Sequence, residues 1–244
     1  MNEESVYPRG RGRGGKGGRG RGGQGRGRAG KGGGRGREGR GGTNSSSFTP
    51  DRRKFRIFQI GFNKCGTRTL YQFFRKNKVP SVHYDGGRIA GSMFRHHIEG
   101  RPLIDKMYRK KVFFSDMENI RKEAKPLYVA QSLFRKLDHQ CPHSKFILNT
   151  RDRENWIRSR AAHEGGEYLR SISNKLDYSV SDTLDLWRLE WDQHHRDVLD
   201  YFRDRPTDLL IFDIEKDGPK KLAHFFRPYF RLDPSLYEHL GKTK

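Results

Sequence analysis

Cysteine is almost absent from the chain. Cys65 and Cys141 are the only two in 244 residues, which excludes a disulfide framework and a thiolate-built structural zinc site. The ten histidines show no H-E-x-x-H spacing, so no metal is expected. No run approaches the roughly 20 apolar residues that a membrane span requires. The opening residues, MNEESVYPRG, lack the apolar centre of a signal peptide. Together these absences lead to the expectation of a soluble intracellular protein, cytoplasmic first and nuclear second. Phe and Tyr are missing between the arginines of residues 9–42, which removes base-stacking aromatics from that stretch.

What the chain has in excess is positive charge, formally +22, and its distribution divides the sequence. Residues 1–42 hold 12 Lys and Arg, 3 Glu and 19 of the 29 glycines. Residues 9–42 repeat RG, RGG and KGG. Glycine at that density offers no apolar surface to offset its backbone entropy, so a disordered tail is expected. Such tracts hold RNA or other polyanions through phosphate contacts and arginine stacking. Without aromatics, that binding should be weak and salt-sensitive. The plain alternative is a solvated basic tail, and the pattern is also compatible with arginine methylation. The division is therefore a tail and linker over residues 1–50 and a folded domain over residues 51–244.

Within the domain, apolar runs and helical stripes alternate. Strands are expected over residues 55–60, 80–85, 112–116, 146–148 and 208–212. Helices are expected over residues 69–76, 88–98, 126–140, 181–203 and from Pro219 onward. Residues 167–180 are polar and read as an irregular loop of the kind that covers a site. Trp187 and Trp191 share a stripe with Leu184, Val198 and Phe202 and belong in the core. The pairs His96-His97 and His194-His195 read as surface or helix-packing residues. Alternating strands and helices imply a parallel sheet with right-handed crossovers. Ligands then gather at the strands' carboxyl ends, where Lys64, Asp85, Asp116 and Arg151 should converge.

The chain is organised around FRIFQIGFNKCGTRTLYQFF, residues 55–74. A strand, a glycine-bounded turn and a helix N-terminus follow one another there, the arrangement that holds a phosphate. The spacing departs from G-x-x-x-x-G-K-[ST], because Thr67 stands where the lysine should and Lys64 lies inside the loop. No hydroxyl follows a lysine to hold Mg²⁺, which disfavours a nucleotide kinase. Gly61-Phe62-Asn63-Lys64-Cys65-Gly66-Thr67 resembles the 5′-phosphosulfate loop of the PAPS-dependent sulfotransferases. Lys145 to Asp152, a strand ending in Arg151, and Ser159 eight positions after that arginine resemble the family's 3′-phosphate motif. The similarity extends over roughly residues 55–230.

The resemblance implies an α/β fold of three layers, a P-loop-like parallel sheet flanked by helices, with PAPS as cosubstrate and no metal. It implies that Lys64 contacts the phosphosulfate bridge. Asn63, Lys64, Cys65, Gly66, Thr67, Arg68 and Thr69 would cradle the 5′-phosphate, and Arg151 and Ser159 the 3′-phosphate. The family often has Thr or Ser where Arg68 stands, so Arg68 either adds charge to the site or faces solvent. The acceptor must lose a proton during transfer. His83, Asp85 and Asp116, with Glu118 close by, are the candidate bases. His83 and Asp85 would share a strand face. Cys65 sits where a helix N-terminus lowers a thiol pKa; with no partner His–Asp pair marked, it reads as a small loop residue. The acceptor, a hydroxyl or amine of unknown class, is expected between residues 86–110 and 165–180. A different class remains open: a nucleic-acid-binding protein whose tail does the work beside an inactive P-loop domain.

Overall fold

The structure is a computed structural model that describes residues 55–120 and 125–240. The tail and linker expected over residues 1–50, with their polyanion binding, lie outside the described residues. Side-chain alternation along short parallel strands builds two cores, one on each face of a central sheet. In β1 (Ile57–Gln59), Ile57 turns to one face and Phe58 to the other. In β3 (Phe113–Ser115), Phe113 and Phe114 divide the same way, and in β6 (Lys145–Thr150) Ile147 opposes Phe146 and Leu148. With β2 (Ser81–His83) and β7 (Leu209–Asp213), the strands order as β2-β3-β1-β6-β7, all parallel.

Helices cover both faces. On one side, α1 (Thr67–Lys76) buries Leu70, Phe73 and Phe74 beside α7 (Pro219–Phe226), which contributes Leu222 and Phe226. Each fully buried side chain of this size is worth about 1.5–3 kcal/mol. On the other side lie α2 (Arg88–Ile98), α3 (Val129–Gln140) and part of α6 (Val180–Tyr201). A third cluster forms beside the sheet's carboxyl edge. There Trp156 of α4 (Arg153–Ala161), Tyr168 and Ile172 of α5 (Glu167–Leu176) and Trp187 and Trp191 of α6 pack around Phe62. The two tryptophans of α6 are core residues, as their spacing predicts. A two-stranded antiparallel pair, β4 (Glu118–Asn119) with β5 (Leu127–Tyr128), stands apart from the main sheet.

Three expectations change. Residues 167–176 form α5, not an irregular loop: Tyr168 and Ile172, four apart, bury one narrow stripe of an otherwise polar helix. Leu127 pairs in β5 and the following helix begins only at Val129. The long helix, expected from residue 181, begins at Val180 and is capped by Ser179, whose hydroxyl accepts from the Asp182 N–H at 3.0 Å. No helix among the described residues is long and apolar enough to cross a membrane.

Candidate active site

The centre of the site is the loop joining β1 to α1. β1 lies between β3 and β6, so the loop leaves the sheet where the strand order reverses, the usual ligand position in such folds. Gly61 is required by close approach: a Cβ there would stand 2.0 Å from the Asn149 carbonyl oxygen. Lys64 (φ 61°) and Gly66 (φ 74°) are left-handed. For a lysine that conformation costs on the order of 1–2 kcal/mol, so the surroundings must enforce it.

They do so through the loop's carbonyl oxygens. Six in succession accept from side chains of other elements. His194 Nε2 holds Ile60 O at 2.7 Å and Gln131 Nε2 holds Gly61 O at 3.1 Å. Asn149 Nδ2 bridges Phe62 O (3.1 Å) and Cys65 O (2.9 Å). Trp156 Nε1 donates to Asn63 O at 3.0 Å, and Arg151 Nη1 to Lys64 O at 3.2 Å. With its carbonyls turned outward, the loop has its N–H groups left to face an anion, beside the N-terminus of α1. Serving as one of these clamps, His194 is more than a packing residue. Burial lowers its pKa to about 4, which suits a neutral ring.

The cleft over this loop has a volume of about 1010 Å³ and is lined by Asn63, Lys64, Gly66, Thr67, Arg68, Thr69, His83, Asp116, Arg151 and Ser159 among others. Thus Lys64 and Arg151 share one cleft. The Lys64 ammonium makes no hydrogen bond or ion pair among the described residues. Its pKa is lowered by burial, then by Arg151 and Arg68. Arg68 is exposed yet lines the cleft, so it adds charge there while facing solvent. The Thr69 hydroxyl is already engaged, accepting from the Leu240 N–H at 2.9 Å. Cys65 is buried behind the loop and does not line the cleft. Burial pushes its thiol far up, the opposite of an activated nucleophile.

Of the candidate bases, the structure brings His83 and Asp116 together and separates Asp85. Ser115 Oγ donates to Thr67 O at 3.3 Å, so it accepts from His83 Nδ1 at 2.9 Å. That assigns the proton to Nδ1 and leaves the Nε2 lone pair open, 3.7 Å from Asp116 Oδ2. Burial, with Arg68 nearby, lowers the His83 pKa to about 4. Burial and then Glu118 raise that of Asp116 well above its usual range. Both shifts favour neutral forms, so the two side chains are not an ion pair, in keeping with their spacing. Asp85 fails to share the face of His83 because β2 ends at His83. Tyr84 and Asp85 are both left-handed (φ 52° and 51°), so strand alternation stops before Asp85. Its carboxylate instead takes the Tyr108 hydroxyl at 2.6 Å and the Arg88 guanidinium, and it does not line the cleft.

Residues 56–193 match the family model described as a sulfotransferase domain, more than half of the chain. The chain belongs to the sulfotransferase domain family. No curated protein matches it. The match spans the β1–α1 loop and Arg151 of this sulfotransferase domain, which places the chain among enzymes. Among the described residues, no group of three or more His, Cys, Asp or Glu could hold a metal ion.

Several contributors escape a reading of the sequence. Beneath the loop, Arg160 is fully buried, with its guanidinium carbon 4.4 Å from the Trp187 ring centre and 4.9 Å from that of Trp156. It donates to the Tyr168 hydroxyl, which meets Glu118, and Glu118 accepts from Asn63 Nδ2 at 3.0 Å. Glu215, just past β7, takes Arg151. Of the acceptor region expected over residues 86–110 and 165–180, only Tyr168 lines the cleft. α2 is spent on packing, through Ile89, Ala90 and Met93; Ile120, His163 and Glu164 line the cleft instead.

Proposed function

We propose that this sulfotransferase domain moves a sulfuryl group from PAPS to a hydroxyl or amine acceptor. The observation that supports it most is the pairing of the outward-clamped β1–α1 loop and its Lys64, unpaired among the described residues, with Arg151 across one cleft. The cleft is at the upper end of the about 300–1,000 Å³ usual for small-molecule sites, large enough for an adenosine with phosphates at both ends. The loop's N–H groups with Thr67 would hold the 5′-phosphate, and Arg151 and Ser159 a phosphate on the ribose. During transfer the acceptor oxygen or nitrogen bonds to sulfur, and the bond from sulfur to the 5′-phosphate oxygen breaks. Lys64 meets the charge growing on that leaving oxygen. His83 Nε2, already unprotonated, takes the acceptor's proton, and Asp116 sits beside the imidazolium that forms. The alternative of a nucleic-acid-binding tail rests on residues 9–42, outside the described residues.

Calorimetry with PAP, the product nucleotide, tests this reading. Arg151→Ala should weaken PAP by about 10- to 100-fold, from the roughly 1.5–3 kcal/mol of a hydrogen bond to a charged group. ADP, which lacks the 3′-phosphate, should change by less than about threefold, a bound that also reports on the lost Lys64 carbonyl contact. Equal PAP affinity in the wild type and Arg151→Ala would remove the site assignment.

The state of His83 is checked separately. Burial depresses its pKa, so the ring should stay neutral as pH falls through the usual histidine range near 6.5 and gain a proton only near pH 4. An NMR titration, with the resonance assigned by its loss in His83→Asn, should show no transition between about pH 5.5 and 8. A midpoint near 6.5 would mean that the ring is solvated, not held against Ser115.

A further inference from the structure

Arg151 is already holding an anion. Glu215 Oε1 accepts from Arg151 Nε at 2.9 Å and from Nη2 at 2.5 Å. Its other oxygen accepts from the Asp152 N–H at 3.1 Å. Asn155 Nδ2 lies 3.2 and 3.3 Å from the two oxygens. An arginine fork, a backbone N–H at the start of α4 and a side-chain amide form the donor set a phosphate would use. Burial works against the Glu215 carboxylate, but the Asp152 N–H, Arg151 and Asn155 outweigh it and hold its pKa below the usual range.

We infer that Glu215 is a built-in competitor for the 3′-phosphate, a residue that sets how strongly the enzyme prefers a 3′-phosphorylated nucleotide. The inference rests on the proposed seat of that phosphate at Arg151. A phosphate and a carboxylate cannot share one guanidinium fork without strong like-charge repulsion, so a 3′-phosphorylated ligand must displace Glu215. The displacement has somewhere to go. Glu215 follows β7 on a surface turn, its N–H held by Asp213 Oδ1 at 2.9 Å, and its side chain is 30% exposed. The carboxylate can rotate into water while the backbone stays. A ligand with a 3′-hydroxyl need not move it, because a hydroxyl can donate to the carboxylate where it stands. Glu215 therefore narrows the gap between PAP and ADP.

Calorimetric titration of the full chain with PAP and with ADP tests this. Glu215→Gln and Glu215→Ala should each tighten PAP by tenfold or more and change ADP by less than threefold. Unchanged or weaker PAP binding in both variants would overturn the inference and make Glu215 a residue that orients Arg151. Failure of the donor reading looks different: wild-type protein would not distinguish PAP from ADP, and Arg151→Ala would bind PAP as the wild type does.

Discussion

Lys64→Ala should lower kcat for sulfuryl transfer by about 10²–10³-fold, the range seen when one donor to a developing oxyanion is removed. The measurement is transfer of labelled sulfate from PAPS to an acceptor found by screening phenols, alcohols and amines. Stability should behave in the opposite way. The ammonium makes no bond among the described residues, and burial, Arg151 and Arg68 all disfavour its charge. Removing it relieves repulsion and should leave Tm equal or slightly higher, the usual relation between a functional charge and stability. Alanine keeps a Cβ at the left-handed position and leaves the carbonyl for Arg151 (3.2 Å), so the loop should persist. Because the interaction belongs to the transition state, kcat and kcat/KM should fall together while PAP affinity falls far less. A kcat within threefold of wild type would take the leaving-group role away from Lys64.

The sequence shows where this lysine is but not why it can stand there. The strand–glycine–helix order around residues 55–74 is local, so the β1–α1 loop and the parallel sheet are legible from spacing and apolar alternation alone. The five side chains that turn the loop's six carbonyls outward come from α3, β6, the turn after β6, α4 and α6. They are up to 134 residues away in sequence, and nothing in their own neighbourhoods marks them. From sequence His194 reads as half of a surface or helix-packing pair, because the partner that gives it its role is a backbone atom. Asp85 misled for the converse reason. Period-two alternation holds only while backbone dihedrals stay extended, and two successive left-handed residues end it without a glycine to announce the turn. Glu215 lies on a surface turn whose polar composition, Glu-Lys-Asp-Gly, is what solvent-facing turns carry anyway.

The buried cation beneath the loop leads to the largest expected loss of stability. Arg160 has no exposed surface, and the rings of Phe62, Tyr128, Trp156, Tyr168 and Trp187 all lie within 5.6 Å of its guanidinium carbon. Burial pulls its pKa down, but Tyr168, Tyr128, Glu118 and Glu190 more than offset that and keep it charged. In turn it restrains the carboxyls, since burial raises the pKa of Glu118 and Glu190 and Arg160 opposes the rise in both. Arg160→Met keeps the volume and removes the charge, stranding two buried carboxyls. Breaking such a network costs about 3–5 kcal/mol. At roughly 2–4 °C per kcal/mol for a domain of this size, Tm should fall by about 6–20 °C. The sign of the pH dependence follows from the same groups. Their folded pKa values are raised and rise further without Arg160. The stability they contribute is whole below the unfolded value near 4.3 and is lost as pH climbs through the folded one. The defect should therefore be largest at neutral pH and shrink on acidification. Glu118→Gln in the Arg160→Met background should recover part of the loss, as expected of residues in one network. A Tm within about 2 °C of wild type at pH 7 would show that the ring cage, not the charge, supports the structure there. Glu118 also holds Asn63, next to Lys64, so the charge under the loop and the charge in the cleft are joined through Tyr168, Glu118 and Asn63. The double variant should bind PAP more tightly than Arg160→Met alone if that connection sets the position of the loop.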